Sequence, residues 1–215
     1  MFPSLQLEIL DRFTAVEQYL RKSPKDYGAA SFMAQTARGL VFVQIYAVYE
    51  YTIKEATRIA IDKIAAHGHP YANLRVPLKA LFLDPQLRAL QSSGEKGVWE
   101  RRLSLFEKAA AKNQIAPVDT MPHDGSHFRH TQIQMILRVL GIRKELTARR
   151  RNLAQIDEVV GHRNAISHGA ETAAEIGRRY SRDEVFKRIR FMRRMCIRFI
   201  AIVSDYCSNP TEHCR

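Results

Sequence analysis

Residues 159–169 read Val159-Val160-Gly161-His162-Arg163-Asn164-Ala165-Ile166-Ser167-His168-Gly169. Upstream, Leu153, Ile156 and Val160 fall at spacings of three and four, the period of one helix face. Gly169 stands where a helix that stops needs left-handed backbone, which only glycine adopts cheaply. The pattern predicts a helix over Glu145–His168, with Arg163 and Asn164 in its last turns and His168 at its end. Carbonyls at a helix C-terminus favour a cation, by up to about 2 kcal/mol in a partly buried setting. His168 is therefore placed where its protonation can be tuned near neutral pH, as general acid–base chemistry requires. Asn164 and His168 are i and i+4, on one face. Arg163 lies about 140° round the helix from His168. The two meet on one phosphate only where the helix end unwinds or a second copy supplies one of them.

Outward from this stretch the chain has helical period almost throughout. A first helix is expected from Ser4 to Lys22, with Leu7, Leu10, Phe13, Val16 and Leu20 on its apolar face and Pro24 ending it. A very long helix follows, Ala29 to His67, on the spacing of Phe32, Leu40, Val43, Ala47, Ile53, Ala56, Ala60 and Ile64. Gly39 is its weak point, at about 1 kcal/mol relative to alanine, and Gly68-His69-Pro70 closes it. Residues 70–130 read as an insertion of short helices: Val76–Leu90 broken at Asp84-Pro85, then Val98–Lys112, then a loop from Ile115 to Phe128. Thr131–Leu140 is helical. After the motif helix comes a polar connection, and a last helix from Arg182 to Tyr206. Ser181 followed by Glu184 has capping-box spacing. On that last helix Val185, Ile189, Met192, Cys196, Phe199 and Val203 make an apolar stripe, and Lys187, Arg190, Arg194 and Arg198 a basic one. No Asn-Gly or Asp-Gly hairpin separates alternating apolar runs.

The string R-N-A-I-S-H-G at 163–169 resembles the R-x4-6-H motif of the HEPN superfamily, in which a polar residue, here Asn164, follows the arginine. The stretch V-Q-I-Y-A-V-Y-E-Y-T-I-K-E-A-T-R from Val43 to Arg58 looks like the second helix of single-domain HEPN-like nucleases of bacterial defence and toxin–antitoxin loci. The resemblance covers about Gly28–His67 and Thr131–Cys207. It implies an all-α antiparallel helical bundle, here one domain over 1–215 with an inserted segment at about 70–130. It also implies a homodimer with two motifs facing across a cleft, and metal-independent RNA cleavage by 2′-OH attack. In that chemistry His168 moves protons, Arg163 stabilises the phosphorane and Asn164 orients substrate or His168. Ser167 stands beside them in the motif. Glu50 interrupts an apolar face; either it pairs with Lys54 at i+4, or it faces the motif helix and holds Arg163.

The 215 residues carry a net charge of +12, with Lys+Arg at 34 against Asp+Glu at 22. Between Arg129 and Arg198 stand 17 basic and 7 acidic residues. That concentration favours a phosphate-binding surface, with Lys187, Arg190, Arg194 and Arg198 as the RNA-contacting candidates. Composition excludes disorder and a disulfide scaffold: hydrophobic residues are 46%, and the three cysteines lie in the last 20 residues without C-x-x-C spacing. No leader pattern opens the sequence and the longest uncharged apolar run, Gly39–Tyr49, is too short to span a bilayer. A reduced, soluble, cytoplasmic protein is expected. His123, His127 and His130, spaced H-x3-H-x2-H beside Asp124, have metal-ligand chemistry. No helix fixes their geometry and no cysteine joins them, so neither a metal nor another cofactor is expected.

These features point to an endoribonuclease, the toxin or effector of a toxin–antitoxin or antiviral defence system. It would act on RNA as a homodimer, with a cognate antitoxin or defence-complex protein as partner and no membrane role. The alternative is a non-catalytic HEPN protein that binds a partner protein or a nucleotide. A basic helical DNA-binding domain is a weaker reading, since no helix-turn-helix pattern stands out.

Overall fold

The computed structural model describes all residues except 26–30, 93, 95, 124, 126 and 215. Its described residues form α1 (Phe2–Lys22), α2 (Ser31–Ala66), α3 (Val76–Phe82), α4 (Asp84–Gln91), α5 (Val98–Ala110), α6 (His130–Val139), α7 (Arg150–Ser167), α8 (Ala173–Arg178) and α9 (Arg182–Cys207), with 3-10 turns at Tyr71–Asn73 and Pro210–Glu212. No strand forms among them; two isolated antiparallel bridges, Pro70–Gln114 and Leu74–Cys214, stand alone. The fold is all-α. The long second helix expected from Ala29 begins, within the described residues, at Ser31.

The chain divides into two compact units. The first comprises Met1–Ala56, Ser126–Ile133 and Leu146–Ala201. The second comprises Thr57–Gly125, Gln134–Glu145 and Ile202–Arg215.

In the first unit α1 begins two residues earlier than expected, with Pro3 in its first turn, where the missing N–H would have no helical partner anyway. Its buried face is Phe2, Leu5, Ile9, Phe13, Val16 and Leu20. Leu7, expected on that face, is 65% exposed and Leu10 half-buried. Ile9 takes the core position instead, because either register satisfies the period. The first half of α2 departs in the same way. Phe32, Leu40 and Ala47 face outward and Val43 is half-buried, while Val41, Phe42, Ile45, Tyr46, Val48 and Tyr49 are buried. The helix is apolar nearly all round here, so spacing alone does not choose its inner face.

Packing against α8 makes that choice. At Gly39 a Cβ atom would collide with the backbone of Ala173, and at Gly177 with the carbonyl of Gln35. Two glycines thus let α2 and α8 approach backbone to backbone. The buried Arg38 locks the crossing, its Nε donating to Gly177 O at 2.9 Å. Helix α8 falls in what the sequence presented as a polar connection. Its capping box, Thr172 with Glu175, is formed in full.

Helix α7 begins at Arg150, five residues later than expected. Thr147 Oγ1 accepts from both Arg149 N–H and Asn152 Nδ2, offering the backbone a local alternative to helix. Leu146 turns inward and its carbonyl accepts from Arg198 Nε. Helix α9 follows its reading closely: Ser181 and Glu184 close the capping box, and the stripe from Val185 through Phe199 is buried.

In the second unit α3 and α4 are separated at Leu83, the break expected at Asp84-Pro85. Helix α5 packs against α4 and the 3-10 turn at Tyr71–Asn73. No helix among the described residues is long and apolar enough to cross a membrane.

Candidate functional site

The site lies within the first unit, at the C-terminal end of α7. That helix stops at Ser167, and His168 caps it in a non-helical conformation (φ −96°, ψ 4°), its N–H donating to Asn164 O at 2.9 Å. Gly169 follows at φ +70°, the left-handed stop the sequence anticipated. Ser167 and His168 are exposed; Arg163 and Asn164 are half-buried.

The Arg163 guanidinium sits over the ring of Tyr46 from α2, 4.6 Å from its centroid. It donates to Asn164 Oδ1 at 3.1 Å and lies 3.3 Å from Nδ1 of His127. A guanidinium has only donors, so Nδ1 of His127 accepts and the ring proton belongs on Nε2. The His127 ring lies 6.2 Å from that of His168, centroid to centroid. Burial, then the charges of Arg163 and His168, hold the His127 pKa below its ordinary value. It is a neutral imidazole at neutral pH. Among the described residues no carboxylate pairs with Arg163.

The segment that carries His127 is pinned just after that residue, once to α2 and once to α7. Tyr49, buried in α2, donates its hydroxyl to Phe128 O at 3.0 Å. Asp157 of α7 accepts from His130 N–H at 3.0 Å and faces His130 Nδ1 at 2.7 Å, which caps the start of α6. The three histidines of the H-x3-H-x2-H string therefore part company. His123 accepts from Gly125 N–H, His127 turns to Arg163, and His130 pairs with Asp157. Among the described residues no group of three His, Cys, Asp or Glu side chains is arranged to hold a metal ion; Asp124 lies outside them.

Glu50 takes the simpler of its two expected roles. Its carboxylate binds Lys54 at 2.6 Å and does not pair with Arg163. Its charge still acts on the site: burial and then Glu50 raise the Tyr46 phenol pKa, and Glu50 partly offsets the depression at His127.

Behind the motif runs a second network. Arg188 of α9 donates to Glu158, Tyr180 donates to the same carboxylate at 2.8 Å, and His162 Nε2 lies 2.7 Å from the Tyr180 oxygen. Since the Tyr180 proton goes to Glu158, His162 Nε2 is the donor to Tyr180. Burial raises the Glu158 pKa, but the bonds from Arg188 and Tyr180 outweigh it and leave the carboxyl low. Burial lowers the His162 pKa, and its ring meets Phe42 edge-on at 4.9 Å. These bonds fix the rotation of α7 about its axis, and so the direction in which Arg163 points.

On α9, Lys187, Arg190, Arg194 and Arg198 are all exposed. Arg198 is partly committed through its bond to Leu146 O. Arg182, Arg188 and Arg193 of the same helix are structural: they bind the last carbonyls of α1, Glu158 and Glu17 respectively. Sequence reasoning missed Tyr46 and the placement of His127. The histidine was visible as part of a triplet, but nothing local shows which neighbour it meets.

A family model for MAE_28990-like HEPN proteins matches residues 8–211, whereas no curated protein and no solved structure matches the chain. The match takes in α2, α7 and α9 with the Arg163–His168 segment between them, and this protein belongs to the MAE_28990-like HEPN family.

Proposed function

We propose that the protein is a metal-independent endoribonuclease, built as one HEPN domain with an inserted segment at about 70–130 and acting as a homodimer through its Arg163–His168 segments. Family membership supports an RNase or nucleotide-binding role. The observation that carries the finer reading is the Arg163 guanidinium, half-buried, without a carboxylate partner among the described residues, and beside the imidazole of His127, whose ring lies 6.2 Å from that of His168. An uncompensated guanidinium suits an anion with bidentate oxygens, such as a phosphate.

In this reading the ribose 2′-oxygen attacks the adjacent phosphorus and the bond to the 5′-oxygen breaks. The products are a 2′,3′-cyclic phosphate and a 5′-hydroxyl. His168, exposed at the helix end, takes the 2′ proton; the second copy's motif returns one to the 5′-oxygen. Arg163 stabilises the charge that builds on the phosphorane. His127, neutral, accepts from Arg163 through Nδ1 and keeps it aimed, so it is a positioning residue. Asn164 accepts through Oδ1 from the same guanidinium nitrogen, Nη1. Ser167 and Glu50 support the site as surface donor and local charge, and Lys187, Arg190, Arg194 and Arg198 track the RNA backbone. A toxin or effector role in a toxin–antitoxin or defence locus, with an antitoxin or defence-complex partner, fits such an activity.

The test is incubation of pure protein with RNA in EDTA. Cyclic-phosphate ends that vanish in both Arg163→Ala and His168→Ala support the proposal. RNA left intact at micromolar enzyme, with nucleotide or partner binding retained, favours the non-catalytic alternative.

A further inference from the structure

Helix α5 has no buried residue along its 13 positions. Its inner side is nonetheless settled. Val98, Leu105, Lys108 and Ala109 are half-buried, Lys79 Nζ donates to Ala109 O at 3.3 Å, and Lys108 lies over the Tyr71 ring. The opposite side carries Trp99, Leu103 and Phe106, which are 75%, 61% and 71% exposed, followed by the exposed Ala110. Trp99 is the chain's single tryptophan. Spacings of four, three and four are those of a two-helix seam, with Leu103 and Ala110 at one type of core position and Trp99 and Phe106 at the other. An amphipathic helix draws its stability from covering such a face, and a short one has little of its own.

The residues beside the seam indicate what covers it. Arg102 and Glu107 occupy the two flanking positions, and neither forms an ion pair among the described residues; Arg102 instead lies 4.7 Å above the Trp99 ring. In a parallel pair each flanking residue faces the partner's residue five positions on. Arg102 of one copy would face Glu107 of the other, twice by symmetry. An antiparallel pair that keeps the whole seam in register sets Glu100 of each copy against Glu107 of the other and leaves Arg102 facing Ala109. RNA would meet Glu100 and Glu107 along the seam, which repel phosphate. A strongly acidic protein would meet the same two carboxylates.

We infer that the outer face of α5 is a self-association surface. It pairs in parallel with α5 of a second copy through Trp99, Leu103, Phe106 and Ala110, flanked by Arg102–Glu107 ion pairs. Covered aromatic side chains contribute about 150–250 Å² each, so the seam buries roughly 400 Å² per copy, about half the ~800 Å² per partner of a standard interface. The contact is therefore weak and concentration-dependent. It is distinct from the Arg163–His168 contact proposed above and does not depend on it.

The experiment uses the full chain between 1 and 500 µM, following sedimentation velocity together with Trp99 emission. The expected result is a blue shift of the emission that grows over the same concentration range as the sedimentation coefficient. Leu103→Glu should abolish the shift at unchanged circular dichroism. Arg102→Glu and Glu107→Arg should each weaken association at least ten-fold, and their combination should restore it. An oligomer in which Trp99 keeps solvent-exposed emission overturns the inference, whatever becomes of RNase activity. Emission constant at every concentration does the same, and so does a charge-swapped double variant that fails to recover. Quenching of Trp99 by oligouridine in a chain that stays monomeric would reassign the face to RNA.

Discussion

Arg163 lies 3.3 Å from Nδ1 of His127, a residue 36 positions earlier, and the ring of His168 lies 6.2 Å from that same imidazole, centroid to centroid. The R-x4-6-H resemblance pairs Arg163 with His168; the fold adds a third residue, His127, to the group. A neutral ring that accepts from Arg163 keeps the guanidinium in place without neutralising it, as a carboxylate would.

His127→Ala should lower RNA cleavage by about 10- to 100-fold, the scale of a lost positioning contact. His127→Asn, whose Oδ1 can stand in for the accepting Nδ1, should recover most of the loss. Single-turnover rates at saturating RNA check this. An Asn variant as slow as the Ala variant would show that the ring does more than hold Arg163.

Two glycine substitutions should act on stability with opposite signs. Gly39→Ala drives a Cβ into the Ala173 backbone and should destabilise by about 3 kcal/mol, the upper range for overpacking. Gly161→Ala meets nothing within 4 Å and sits inside α7, so it should stabilise by up to about 1 kcal/mol. Urea unfolding of both variants measures the contrast.

His213 makes stability depend on pH. It is fully buried, with Nε2 against Tyr206 O and Nδ1 against His69, and burial pushes its pKa down from 6.5 to about 4. Below pH 6.5 the unfolded chain binds this proton more readily than the folded one. Its contribution is thus complete above pH 6.5 and lost as pH falls toward 4, on the order of 3 kcal/mol in all. Urea melts at pH 7.0, 5.5 and 4.5 should show a decline that His213→Gln shares only in part.

Arg190 and Arg194 are exposed and form no ion pair among the described residues. If they track the RNA backbone, replacing both with alanine should weaken binding alike for unrelated sequences. It should also reduce the slope of log affinity against log salt by about 1.4 for single strands. Cleavage at saturating RNA should persist. Fluorescence anisotropy at several salt concentrations gives the slope, and an unchanged value would remove the stripe from the RNA path.

What the sequence determined by itself is local in origin. Period three-to-four predicted nearly every helix, because an amphipathic face repeats with the backbone. The stop at Gly169, the cap at Ser181–Glu184 and the break before Asp84-Pro85 all follow from conformational preferences within a turn. The Thr172–Glu175 cap that starts α8 has the same spacing, yet that segment reads as a polar connection and its helix emerged only in the structure. Tertiary structure alone decided which side of an apolar helix turns inward. Phe32 and Leu40 lost to Val41 and Ile45 in α2 because α8 crosses at Gly39, and no spacing rule encodes a neighbour's backbone. It also decided the third member of the candidate site. His127 comes to Arg163 because Tyr49 and Asp157, far apart in the chain, hold Phe128 and His130 just after it, and such a meeting is set by packing rather than by period.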